Sequence, residues 1–190
     1  MTTYGTSEMV MLDACCLLNL CASGHVDQVL QALPMDFGIA VQVTHETLYV
    51  LPRAAEDEVG IPEPVDLSEL VRHGLLSVHD IETNAEASSY VAFAVDLDDG
   101  EAMTCAIALH RRYAVATDDR KALRVLHQRA PQVRTMGTTD LLRLWAEVAG
   151  IEAGDFRQIL IDVKERGRFL PRRDDPNRSW WDSVMTLPDE

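Results

Sequence analysis

The apolar positions fall into short runs separated by stretches with helical spacing. Met9-Val10-Met11-Leu12 is an uninterrupted apolar run ending at Asp13, which predicts a strand buried on both faces. Residues 14–22 carry Leu17, Leu18 and Cys21 at helical spacing and stop at Gly24. Residues 26–33 predict a second short helix, closed by Pro34. Residues 38–43 predict a strand, with Thr44 capping a helix that runs through Leu51. Residues 52–65 hold three prolines and an acid cluster and predict a loop. Beyond it the pattern predicts a helix over 66–74, a strand over 75–81, and helices over 84–95 and 100–111. A strand at 113–117, a helix at 120–129, a strand at 132–136 and a helix at 139–149 follow. Strands and helices thus alternate repeatedly, which predicts an α/β three-layer sandwich, Rossmann-like, with a mostly parallel central sheet.

After Gly150 the pattern changes. Residues 153–167 predict one more helix, and the Pro-, Arg- and Asp-rich remainder predicts an extended tail folded back through Trp180 and Trp181. The expected organisation is one domain over 1–150 and a C-terminal helix and tail over 151–190.

Composition narrows the class. The chain has 190 residues, 47% hydrophobic and 25% charged, enough for a substantial core. No apolar run reaches about 18 residues, so no membrane span is expected, and the first residues lack the pattern of a signal peptide. The four cysteines, Cys15, Cys16, Cys21 and Cys105, form no CxxC pair and read as reduced thiols in a cytoplasmic protein. The net charge is −14, unevenly spread. Residues 1–110 hold 18 acids and two bases, Arg53 and Arg72, whereas residues 111–190 hold 13 acids and 15 bases. Such acidity argues against a general coat for nucleic acid, while leaving room for a basic patch in the second half.

Acidic residues follow the predicted strands. Asp13 follows the first, Glu46 lies just beyond the second, and Asp118 and Asp119 follow the strand at 113–117. In a parallel sheet these positions share the carboxyl edge, where open α/β folds build their sites. Glu101 opens a helix that can pack beside that edge. Helix capping competes as an explanation for Asp13, for Glu101 three residues after Asp98, and for one of Asp118 and Asp119. It accounts less well for Glu46 and for the second aspartate of the pair. Converging carboxylates need a cation, and an oxygen-only set suits Mg²⁺ or Mn²⁺ rather than zinc. Such a cation activates water and offsets charge on a phosphodiester. The sequence lacks phosphate-binding glycine loops. A haloacid-dehalogenase phosphatase needs an aspartate where Cys15 stands, and the order of acids does not match a receiver domain.

The segments MLDACCLLNLCASG, VTHETL, LDDGEAMTCAIALHRRYAVATDDRKAL and VRTMGTTDLL, in this order and spacing, resemble the motifs of the PIN-domain family over residues 9–149. The third segment is most similar to the branch whose motif reads G-E-A, which includes VapC-like ribonucleases. The resemblance implies a divalent-metal endoribonuclease, often a toxin opposed by an antitoxin protein, with a homodimer compatible with the family. It places the catalytic acids at Asp13, Glu46, Glu101 and Asp119, with Asp118 alongside as a metal ligand, since the T-x-D form of the fourth motif favours Asp119 and the DDR form Asp118. Asn19 and Thr117 fall at supporting polar positions. Met103 stands where the branch often has another acid, so a non-catalytic RNA- or protein-binding module is the alternative. Arg111, Arg112, Arg120, Lys121 and Arg124 are candidates for contact with RNA phosphates, and Lys164 to Arg173 form a second basic cluster.

Overall fold

The buried apolar runs set the strands. Val10, Met11 and Leu12 have no exposed surface, as expected for the middle of a sheet covered on both faces. The computed structural model describes residues 8–46, 48–53 and 61–187. Its elements, in chain order, are β1 (Glu8–Leu12), α1 (Ala14–Ala22), α2 (Val26–Ala32), β2 (Met35–Ala40), α3 (Val41–His45), β3 (Tyr49–Val50), β4 (Glu63–Pro64), α4 (Ser68–Arg72), β5 (Ser77–His79), α5 (Asn84–Phe93), α6 (Asp99–Arg111), β6 (Ala114–Ala116), α7 (Arg120–Arg129), β7 (Thr135–Met136), α8 (Thr138–Ala149), α9 (Ala153–Arg166) and α10 (Arg178–Met185).

The chain forms two compact units. The first gathers Met1–Cys16, Pro34–Glu46 and Leu67–Gly137. It carries a five-stranded sheet ordered β5-β2-β1-β6-β7, parallel throughout and flanked by helices. This is the expected three-layer α/β fold. From β1 the chain adds β2 and β5 on one side and returns to add β6 and β7 on the other. The reversal of strand order therefore lies between β1 and β6. Leu12 pairs with Ala116 there, and the Asp13 amide donates to the Ala116 carbonyl at 2.9 Å. At such a reversal the chains leaving the two strand ends diverge and open a crevice. Helix α6 packs against β1, β2 and β6. Its buried residues include the small Ala102, Cys105, Ala106 and Ala108.

The second unit gathers Leu17–Leu33, Thr47–Asp66 and Thr138–Glu190. Aromatic rings cluster within it. Phe156 of α9 lies with its ring 5.5 Å from Trp145 of α8 and 5.8 Å from Trp180 of α10. This unit keeps residues 138–149 together with residues 151–190, so the grouping runs across residue 150.

Three sequence expectations change. The strand expected at 38–43 is shifted: β2 ends at Ala40 and Val41–His45 turn into the short helix α3. β-branched Val41 and Val43 favour a strand locally, and packing overrides them. Thr44 is consequently no cap; its hydroxyl donates to the Val41 carbonyl at 2.6 Å. The helix expected to continue through Leu51 is replaced by β3, which pairs antiparallel with β4. The loop expected at 52–65 lies partly outside the described residues. Finally, the tail expected to be extended contains α10, whose Trp181 and Val184 are buried and whose Arg178 and Asp182 pair one turn apart. Among the described residues no helix is long and apolar enough to cross a membrane.

Candidate metal centre

Asp13 is the first residue past β1 and is only 4% exposed. Its Oδ1 accepts from the Ala14 amide at 2.8 Å. Its Oδ2 accepts from the Thr117 hydroxyl at 2.7 Å and from the Cys15 thiol at 3.1 Å. Burial raises the Asp13 carboxyl above its ordinary pKa, the three hydrogen bonds oppose the rise, and the charge of Asp98 adds to it.

Thr117 connects two of the candidate acids. Besides donating to Asp13, its hydroxyl accepts from the Asp119 amide at 3.1 Å. Asp119 caps α7: its Oδ1 accepts from the amides of Lys121 and Ala122 at 2.7 and 2.8 Å. Asp118 has other neighbours. Its Oδ2 accepts from the Cys16 thiol, and its amide donates to the Cys15 sulfur, both at 3.3 Å. Capping therefore explains Asp119 and leaves Asp118 as the aspartate it does not explain.

Glu101 sits at the third position of α6. Asp98 Oδ1 accepts from the Glu101 amide at 2.8 Å, and Glu101 Oε2 accepts from the Asp98 amide at 3.3 Å, a complete capping box. The box does not settle its charge. Burial, then Asp98, Asp13 and Asp119, push the Glu101 carboxyl up to about 7. Glu46 leaves α3 with an extended backbone and an exposed side chain. It is thus one residue past the end of a helix, whereas the sequence predicted a first-turn position. Partial burial of its carboxyl, then Asp98 and Asp13, raise its pKa. A Cβ at residue 100 would collide with Glu46 Oε1, so Gly100 is what lets this carboxylate lie against the start of α6. Gln42, His45, Glu46, Asp98, Asp99 and Gly100 line an open cleft of about 360 Å³.

The structure thus brings Asp13 within electrostatic reach of both Glu46 and Glu101, and Glu101 within reach of Asp119. Asp98, which the sequence explained only as a cap, enters the same cluster and raises three of the acids. Among the described residues no Lys or Arg forms an ion pair with Asp13, Glu46 or Glu101. Raised carboxyls with no basic partner form a set of hard oxygen donors whose mutual repulsion a Mg²⁺ or Mn²⁺ ion would relieve. The donor set fits such an ion. The sequence also missed the placement of Cys15 and Cys16. With Asp118 they form a group whose ligand atoms lie within 4.8 Å of one another. The adjacent cysteines were visible, but not that they face the fourth acidic motif.

Asn19 belongs to the other unit, where its buried amide donates to Thr138 Oγ1 at 3.0 Å. Arg111 has its side chain only 15% exposed and is committed elsewhere. It pairs with buried Glu86 at 2.7 Å and Glu82 at 3.2 Å and donates to the Asp80 carbonyl. That internal pairing removes it from the candidates for RNA contact. Arg112, Arg120, Lys121 and Arg124 are at least partly exposed and form no ion pair among the described residues. In the second basic cluster, Arg166 is likewise held internally, by the carbonyls of Leu51 and Ala22 and by Glu63.

A family model described as "PIN domain" matches residues 9–173, well past residue 149, where the sequence resemblance ends. No curated protein matches the chain.

Proposed function

Since the chain belongs to the PIN-domain family, we propose that it is an endoribonuclease dependent on Mg²⁺ or Mn²⁺. The observation that carries this reading is the crowding of Asp13, Glu46 and Glu101 around Asp98, with every one of the three carboxyls raised and, among the described residues, none paired with a basic side chain. Asp13, Glu46, Glu101, Asp118 and Asp119 would hold the cation, which when bound supplies charge neutralisation at the phosphate and a more acidic water. The protein's own groups do the rest. Thr117 fixes the rotamer of Asp13 and the start of α7 together. The Asp98–Glu101 box fixes the start of α6, and Gly100 admits Glu46. Arg120, Lys121 and Arg124 bind the RNA backbone beside the acids, as cations next to an acidic site must if a polyanion is to approach it, whereas Arg112 closes the far end of α6 and serves a more distant part of the RNA strand.

Asp13→Asn tests the assignment. It keeps the shape and one of the two acceptor oxygens but removes the charge. Cleavage of RNA in Mg²⁺ or Mn²⁺ is expected to fall at least about 100-fold, as for the loss of a principal electrostatic group, with an unchanged circular dichroism spectrum. Unaltered cleavage overturns the assignment.

The toxin role, opposed by an antitoxin, and a homodimer are further parts of the proposal and rest on the family alone. One observation favours a second reading, an RNA- or protein-binding module without cleavage: Met103 is buried in α6 where the branch often has another acid. RNA binding without metal-dependent cleavage in the wild-type protein selects that reading.

A further inference from the structure

We propose that Cys15, Cys16 and Asp118 form a second cation site, one for a thiophilic divalent ion such as Zn²⁺, at the reversal point of the sheet. The sulfurs of Cys15 and Cys16 and a carboxylate oxygen of Asp118 lie within 4.8 Å of one another. Two direct hydrogen bonds already join the group: the Cys16 thiol to Asp118 Oδ2 and the Asp118 amide to the Cys15 sulfur, each at 3.3 Å. Zinc bonds of about 2.3 Å to sulfur and about 2.1 Å to oxygen, at a tetrahedral angle, put the two ligand atoms about 3.6 Å apart. The Cys16–Asp118 separation is close to that, so an ion can replace the bridging thiol proton with little movement. Two sulfurs and one oxygen leave a fourth position for water.

Thiolate ligands select Zn²⁺ or Cd²⁺ and discriminate against Mg²⁺ and Mn²⁺. This separates the site in chemistry from the oxygen donors of Asp13, Glu46 and Glu101. Binding releases the two thiol protons to solvent, leaving both sulfurs as thiolates on the ion, with no change of oxidation state. The Cys15 thiol donates to Asp13 Oδ2, and that hydrogen bond breaks when the sulfur takes an ion. A soft ion therefore removes Asp118 from the hard-cation cluster and a hydrogen bond from Asp13. This antagonism rests on the nuclease reading above; the binding itself does not.

The test is a titration of the full chain, fully reduced, with Cd²⁺, following the ultraviolet sulfur-to-metal charge-transfer band. The band is expected to saturate at one equivalent. Cys15→Ala or Cys16→Ala should each remove about half of its intensity, and Cys21→Ala should leave it unchanged. Asp118→Asn retains both sulfurs and should keep the band while weakening affinity at least about tenfold. Far-ultraviolet circular dichroism of each variant confirms folding, and Asp118→Asn reports on the site should a cysteine variant fail to fold. Absence of a one-equivalent band in the wild type overturns the site, as does a full band in Cys15→Ala/Cys16→Ala. Because the readout needs no RNA, failure of the nuclease assignment and failure of this site are distinguishable.

Discussion

Glu101 serves two roles whose electrostatic demands oppose each other. As the third residue of α6 it completes a capping box, which favours a charged carboxylate. As a neighbour of Asp98, Asp13 and Asp119 in a half-buried position it is pushed towards neutrality, up to about 7. A carboxyl with a folded pKa above its unfolded value binds more protons in the folded state. Stability therefore falls as pH rises from about 4.5, the ordinary value, to about 7. Urea denaturation of the metal-free protein should show lower stability at about pH 8 than at about pH 5. Glu101→Gln keeps the acceptor of the box and removes the charge. After allowance for solvent screening, it should be more stable than wild type at about pH 8, by on the order of 1 kcal/mol. A variant no more stable than wild type there contradicts the electrostatic account. At this scale much was legible: Asp13, Glu46 and Glu101 follow from acids placed after strands or at the start of a neighbouring helix. What was not legible is how Asp118 and Asp119 divide their roles. Adjacent residues look equivalent until backbone direction assigns one to the cap and the other to the thiols.

The start of α6 is the element on which the cluster depends. Asp98 caps it, Glu101 closes the box, and the missing side chain at residue 100 makes room for Glu46. Gly100→Ala separates stability from function. Alanine favours a helix over glycine by up to about 1 kcal/mol, while its Cβ displaces the flexible end of Glu46. The melting temperature should hold or rise, and metal-dependent cleavage should fall at least about tenfold. Full activity in this variant removes Glu46 from the site. At the other end of α6, the sequence placed Arg111 in a basic run open to RNA. The fold instead pairs it with Glu86, whose carboxyl is held down at about 2, first by its hydrogen bond from Arg111. A charge run in a sequence does not say which of its members faces inward. The same limit hid α3 and α10. Local β-branching disguised the first, and Pro, Arg and Asp around the two tryptophans disguised the second, because both are set by tertiary packing.

Across the whole molecule, the alternation of strand and helix was enough to anticipate a parallel sheet, because runs such as 9–12 are apolar on both faces. The interleaved grouping of segments into two units was not, since no linker composition marks it. The distribution of charge carries a functional consequence. A chain of net charge −14 repels RNA at long range, so the proposed cleavage of RNA requires a local basic face. Arg120, Lys121 and Arg124 belong to α7 and follow immediately after the Asp119 cap. Replacing all three by Gln should weaken RNA binding across sequences. It should also reduce the log–log dependence of affinity on salt by about 2, at about 0.7 for each RNA phosphate that the three cations neutralise. An unchanged salt slope places the RNA on another face.

The proposed function stands on the carboxylates at the carboxyl edge of the sheet binding a divalent cation. Calorimetric titration of the protein with Mn²⁺ at neutral pH is the direct measurement of that site. Saturable binding by the wild type, weakened at least about tenfold in Asp13→Asn, is the predicted result. No binding at millimolar Mn²⁺, or equal binding by the wild type and Asp13→Asn, contradicts the account.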